Sequence, residues 1–186
     1  MVKIYSIMKG FLPFLFMLCC TQKIYAHEGH DHWTYAPVCI KKSTFVHLQS
    51  VLKAYEEVYH LLASKESDGI EASAKKIMEA AQEGIQTERK GDGCYMMEHV
   101  FLGARELQRA ETIQDAREAF ASITSELMPF FISWPNQLKL NAVKLYRCKD
   151  DGYSWLQPED SVLVCPYTSD ELTSCKHIEE VKPNHK

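Results

Sequence analysis

The chain has 186 residues, 46% of them hydrophobic and 25% charged, with a formal net charge of −4. An acidic body of this kind argues against nucleic acid as a partner. The length is enough for one domain with its own core, and no repeat of solenoid period is present.

Residues 1–26 have the three parts of a secretory signal: Lys3 and Lys9, an apolar run over residues 11–20, and a short polar stretch ending in Ala26. Cleavage after Ala26 would remove three lysines and no acid, taking the charge from −4 to −7. The apolar run is about half of the ~20 residues that span a bilayer, so no stable membrane span is expected after cleavage. Leu15, Phe16, Met17 and Leu18 are bulky where a lipoprotein signal carries small residues, which favours simple secretion over lipidation of Cys19 or Cys20. A periplasmic or secreted protein is therefore expected.

Residues 27–42 form a histidine-rich tail. His27, His30 and His32 alternate with Glu28 and Asp31, and neutral imidazole is a good ligand for copper, nickel and zinc. The same composition also suits a plain polar tail.

Over residues 43–64, Phe45, Leu48, Val51, Leu52, Tyr55, Val58, Tyr59 and Leu62 recur at three- and four-residue steps, which predicts a first amphipathic helix. Residues 65–69 break the pattern. Asp68 and Glu71 then have the spacing of a helix cap, ahead of a second stripe of Ile70, Ala74, Ile77, Met78, Ala81 and Ile85. Gly91-Asp92-Gly93 reads as a loop, followed by a third stripe of Tyr95, Met96, Val100, Phe101, Ala104 and Leu107. Thr112 and Asp115 form another capping pair before a fourth helix with Ile113, Ala116, Phe120, Ile123, Leu127 and Phe131 on its apolar face. Pro129 is expected to kink its last turn.

Four amphipathic helices on short links predict a mainly α fold, an antiparallel up-and-down four-helix bundle over residues 43–133. In it, the stretch before the first helix and the loop after the second lie at the same end. Residues 134–176 change character: Val143, Leu145, Val162 and Val164 alternate with other residues, and Asp150-Asp151-Gly152 is a turn. A short β-hairpin or loop cap docked by Trp155 is expected there, then a flexible tail over residues 177–186.

Five cysteines follow residue 26: Cys39, Cys94, Cys148, Cys165 and Cys175. In an oxidising compartment they are expected in disulfides, with one left over. The bundle geometry predicts a Cys39–Cys94 bridge, closing about 55 residues and worth ~4 kcal/mol in the loop-entropy model. Among the remaining three, Cys148–Cys175 is the preferred pair, with Cys165 free. The alternative is a soft-metal site for copper(I) or zinc on Cys148, Cys165 and Cys175, although no CxxC spacing supports it. Cys94, Met96, Met97 and His99 are sulfur- and nitrogen-rich, but helical spacing makes them diverge, and Met96 is the expected core filler. His47 and His60 lie too far apart along one helix to share a ligand. Catalytic motifs are absent: no Gly-x-Ser-x-Gly elbow, phosphate-cradling glycine loop or His-Glu-x-x-His pair occurs, so no enzyme is expected.

Over residues 45–175 the chain resembles a bacterial periplasmic family of unknown function. Its members occur as stand-alone secreted proteins and fused to adaptor (membrane-fusion) subunits of heavy-metal (copper/silver) efflux systems. The resemblance is carried by Ala116-Arg117-Glu118-Ala119-Phe120, Ser125-Glu126-Leu127, Tyr146-Arg147-Cys148, Gly152-Tyr153-Ser154-Trp155-Leu156, Pro166-Tyr167 and Cys175. In the family the first tail cysteine is followed by Pro-Met, and a Met-Leu pair precedes a final Cys-Gly. Here Lys149-Asp150 follow Cys148, Leu172 stands for the methionine, Lys176 replaces the glycine, and Cys165 replaces an asparagine. With the family's thioether ligands absent, the resemblance implies the fold and the envelope compartment, and a disulfide in place of soft ligands. The histidine cluster, the cysteine-rich tail and the family's company together give the expectation of a non-enzymatic protein that binds or buffers copper or zinc, with metal-efflux or other envelope proteins as partners. The competing expectation is a structural module that docks onto another envelope protein and uses its cysteines only as staples.

Overall fold

A computed structural model describes residues 38–132, 142–168, 175 and 177–181, with the side chain of Ile132 excepted. All of them belong to one unit of the chain, residues 31–186. The leader, the histidine tail up to residue 37, Trp134 and the end of the chain from residue 182 lie outside the described residues. The fold is mainly α. The described residues form four helices, α1 (Lys42–Ala63), α2 (Ile70–Glu88), α3 (Asp92–Gln108) and α4 (Ile113–Ile132), and three strands, β1 (Val143–Cys148), β2 (Ser154–Pro158) and β3 (Ile178–Glu180).

The apolar stripes of α1, α2 and α4 bury as their periodicity requires: Val51, Val58, Ala74, Ile77, Phe120, Ile123 and Leu127 lose essentially all contact with water. Helix α3 buries Val100, Ala104 and Leu107 as expected, but its first turn departs from the expected stripe. Tyr95 is 55% exposed and Met96 only partly buried, whereas Met97 is fully buried. A Cβ on Gly84 of α2 would stand 2.5 Å from the Met97 Cε, so the glycine opens the space in which that side chain lies. Met97, not Met96, is the core filler.

The helix starts also differ in part from expectation. Thr112 and Asp115 form the predicted reciprocal cap: the Thr112 N–H donates to the Asp115 carboxylate at 3.0 Å, and the Asp115 N–H to the Thr112 hydroxyl at 3.1 Å. At α2 the cap residue is Gly69 at φ +100°, with no side-chain cap, so Asp68 does not take the role its spacing suggested. Asp92 and Gly93 already belong to α3 rather than to a loop.

Residues 39–41 run across the junction of α2 and α3. The Lys41 N–H and the Thr44 hydroxyl donate to the Glu88 carboxylate at 3.0 and 2.6 Å, and the Lys41 ammonium to the Thr87 and Glu88 carbonyls. A Cβ on Gly93 would meet the Ile40 Cγ2 at 2.4 Å, so only glycine admits the chain so closely.

The sheet is antiparallel, in the order β2-β1-β3. Leu145 faces Leu156 and Arg147 faces Ser154 on one side of β1, while Cys148 faces Ile178 on the other. Two expectations change here. Val162 and Val164 lie in no strand, and Val162 is 82% exposed; residues 178–180, read from the sequence as tail, pair with β1. Helix packing runs α1 to α2, α2 to α3 and α3 to α4, and β2 touches both α1 and α4. Tyr55 of α1 ties these elements together: its hydroxyl accepts the Leu156 N–H at 3.1 Å and lies 2.7 Å from the Thr124 hydroxyl of α4.

Candidate metal centre

Cys148 ends β1 with its side chain fully buried. A tight turn fixes the backbone there: the Cys148 N–H donates to the Tyr153 carbonyl and the Gly152 N–H to the Cys148 carbonyl, each at 2.9 Å. Gly152 has φ +80°, and the Asp151 carboxylate accepts the Tyr153 N–H at 2.9 Å. The Asp150-Asp151-Gly152 turn read from the sequence is thus the element that places Cys148.

Cys165 lies on the irregular segment after β2 and is held from both sides. The Tyr59 hydroxyl of α1 is 3.2 Å from the Val164 carbonyl and 2.9 Å from the Gln157 Oε1. Arg117 of α4, itself 3% exposed, donates from Nε to the Pro166 carbonyl at 3.0 Å and from its terminal nitrogen to the Thr168 carbonyl. The Tyr167 hydroxyl donates to the Ser154 carbonyl at 2.8 Å. Burial pushes the Cys165 thiol above its ordinary range. Hydrogen bonds from the Tyr167 and Thr168 backbone and the Arg117 charge oppose that rise, while Asp151 adds to it.

Cys175 stands just before β3 and is partly buried. Its sulfur is bonded to Cys148 at 2.05 Å, with 5.9 Å between the Cα atoms. The free thiol of Cys165 completes a cluster in which all three sulfurs lie within 4.8 Å of one another. The two tail readings, a Cys148–Cys175 pair with Cys165 free and a three-cysteine site, therefore occupy the same place. With the Cys148–Cys175 bond reduced, the largely buried sulfur triad could hold a metal ion, because thiolate is a soft ligand.

The other expected site residues do not join it. His27, His30 and His32 lie outside the described residues. The expected Cys39–Cys94 bridge is not formed: both thiols are free, Cys39 exposed and Cys94 buried. The backbones do approach, with the Cys39 carbonyl 3.5 Å from where a Gly93 Cβ would be. The Cys94 thiol, however, is turned inward, 4.0 Å from the Ile85 carbonyl and 3.8 Å from the Glu98 carboxylate, while Cys39 is exposed. Burial and the Glu98 charge raise the Cys94 thiol. His47 meets Glu83 at 3.0 Å, His60 meets Glu56 at 3.6 Å, and His99 meets Glu126 at 3.6 Å, each a separate partly exposed pair.

Sequence reasoning passed over Arg117, Tyr59 and Gln157, the residues that fix the Cys165 segment. Arg117 left a signal, since it stands four residues after Ile113 and three before Phe120, inside the apolar arc of α4. A charge in such an arc needs buried partners, here the two carbonyls.

No protein-family model, curated protein or solved structure matches the chain. Among the described residues no helix is long and apolar enough to cross a membrane. The Cys148–Cys175 bond is compatible with an oxidising compartment.

Proposed function

We propose that the chain is a non-enzymatic protein, periplasmic or secreted, that binds or buffers a soft transition-metal ion, copper first and zinc second. The three-sulfur cluster carries the reading: Cys148, Cys165 and Cys175 become a trithiolate ligand set once the disulfide is reduced. Zinc–thiolate bonds of about 2.3 Å put tetrahedrally arranged sulfurs about 3.8 Å apart. Cys165, already within 4.8 Å of both partners, has little distance to close. The same chemistry suits copper(I), the softer ion. His27, His30 and His32 would form a second, nitrogen-based site, and metal-efflux or other envelope proteins would be the partners. The short links 64–69, 89–91 and 109–112 and the pairwise packing of successive helices support an antiparallel up-and-down arrangement as the scaffold.

The test is an anaerobic titration of the reduced protein with copper(I) and with zinc against a competing chelator. Wild type, Cys165→Ser and a deletion of residues 27–32 are compared. Cys165→Ser should lose the tight copper(I) equivalent, and the deletion should lose the weaker histidine site. Identical isotherms for all three proteins would remove the reading. The disulfide as it stands favours a second reading, an envelope interaction module stapled at Cys148–Cys175; that module would bind neither ion after reduction.

A further inference from the structure

We infer that the Cys148–Cys175 bond is a redox latch on this site, opened in the folded protein by a dithiol reductant that attacks Cys175. Its bearing on metal uptake rests on the metal-binding reading above.

Access is asymmetric. Cys148 is fully buried and Cys165 is 6% exposed, whereas Cys175 is only partly buried, so an outside thiolate has one sulfur to reach. The step balances without any further reagent. The donor thiolate bonds to the Cys175 sulfur as the Cys148–Cys175 bond breaks, and Cys148 leaves as a thiolate that takes up a proton. The donor's second thiol then attacks its own sulfur in the mixed disulfide and frees Cys175, which also takes up a proton. Two electrons and two protons pass to the protein, and the donor ends as a disulfide.

Cys165 is placed as a ligand rather than as an internal attacking group. Thiol–disulfide exchange runs through three nearly collinear sulfurs. A thiol in line with the bond at van der Waals contact would stand well beyond 4.8 Å from the far sulfur, yet Cys165 is within that distance of both. It sits beside the bond, at the third corner of a triangle.

Contacts other than the disulfide also hold β3 on β1. The Lys149 N–H donates to the His177 carbonyl at 2.9 Å, the Val181 N–H to the Leu145 carbonyl at 2.8 Å, and the His177 N–H to the Asp150 carboxylate at 3.2 Å. Lys149 and Glu179 add an ion pair at 2.7 Å. With β3 held on β1 by these contacts, reduction leaves Cys175 beside Cys148 and converts one thiol into three.

The experiment treats the full chain with a small dithiol under native conditions and in urea, then quenches, alkylates and maps the cysteines by mass. Copper(I) uptake is measured on the oxidised and reduced samples, with Cys165→Ser as the baseline. The expected result is two new thiols, at Cys148 and Cys175, formed natively within about a hundredfold of the rate in urea. One further equivalent of copper(I) should be taken up only after reduction. A native rate slower than that limit makes the bond a staple and overturns the inference, as does equal, non-zero copper(I) uptake before and after reduction. Native opening with no copper(I) or zinc uptake in either state instead removes the metal-binding reading, and the latch's role with it.

Discussion

Replacing Arg117 by methionine separates the framework of the sulfur cluster from the sulfurs themselves. The side chain is 3% exposed and donates to the carbonyls of Pro166 and Thr168, which flank the segment that carries Cys165. Hydrogen bonds from a charged donor contribute about 1.5–3 kcal/mol each. The Thr168 contact is only partly buried, so the lower end applies, and the loss should come to about 3 kcal/mol. For a chain of 186 residues this corresponds to a fall in Tm of about 6–12 °C. Methionine keeps most of the volume, so cavity formation adds little. Released from Arg117, Cys165 should also be poorly positioned, and copper(I) affinity of the reduced protein should fall about 10–100-fold, the usual effect of losing a group that orients a ligand. Differential scanning calorimetry and chelator competition read the two effects. A Tm within about 2 °C of wild type together with unchanged affinity would refute the claim that Arg117 builds the site.

Cys148→Ser should cost the oxidised protein about 3.5 kcal/mol, the loop-entropy value for a 27-residue separation, and cost the reduced protein far less, as urea unfolding with and without reductant will show. Gly93→Ala drives a methyl group into the Ile40 Cγ2 and should destabilise by about 1–3 kcal/mol; Gly84→Ala meets only the flexible end of Met97 and should cost less in the same assay. Burial would raise the Glu88 carboxyl, but hydrogen bonds from Thr44 and the Lys41 N–H and the Lys41 charge hold it below its ordinary value. Its stabilising effect is therefore full above the unfolded pKa and lost as pH falls through the depressed one; Glu88→Gln should flatten that part of an acid stability profile. Burial lifts the Tyr59 hydroxyl to about 12, against 10.0 when exposed, so its contribution to stability should be constant below pH 10 and decline between 10 and 12; burial raises Tyr55 and Tyr167 as well, so Tyr59→Phe should lessen that alkaline slope rather than abolish it.

The helical part was legible because one apolar period dominates each segment. Val51, Val58, Ile77, Phe120 and Ile123 are all at the core positions that their spacing gives. The first turn of α3 was not, although Val100, Ala104 and Leu107 fell on the stripe read from the sequence: Met96 and Met97 are adjacent and equally apolar, and the choice was made by Gly84 on another helix. The strand at residues 178–180 could not be read from its own composition, since Ile178, Glu179 and Glu180 are ordered by the ladder on β1 rather than by a buried face. The sulfur cluster was half legible. Three cysteines crowded into the last forty residues suggested pairing or a metal, but their convergence depends on a turn at residues 149–153 and on clamps from α1 and α4 that no local pattern encodes.

The three cysteines of the cluster share one feature that bears on what the site can do: none is on a helix. Cys148 is fixed by strand pairing and a turn, Cys165 by carbonyls clamped from two helices, and Cys175 by the approach to β3. The ties between helices and sheet run through other groups, chiefly the hydroxyls of Tyr55 and Tyr59 and the Gln157 amide. Cys148 and Cys165 nevertheless share the core cluster of Val51, Phe120 and Leu127, so the sulfurs are packed against the helices as well as tied to the sheet. A stapling disulfide has no need of a third thiol beside it, whereas a buried free cysteine otherwise serves as a small apolar side chain in the core. On the proposed reading, the place of Cys165 beside the bond is that of the third ligand of the reduced site.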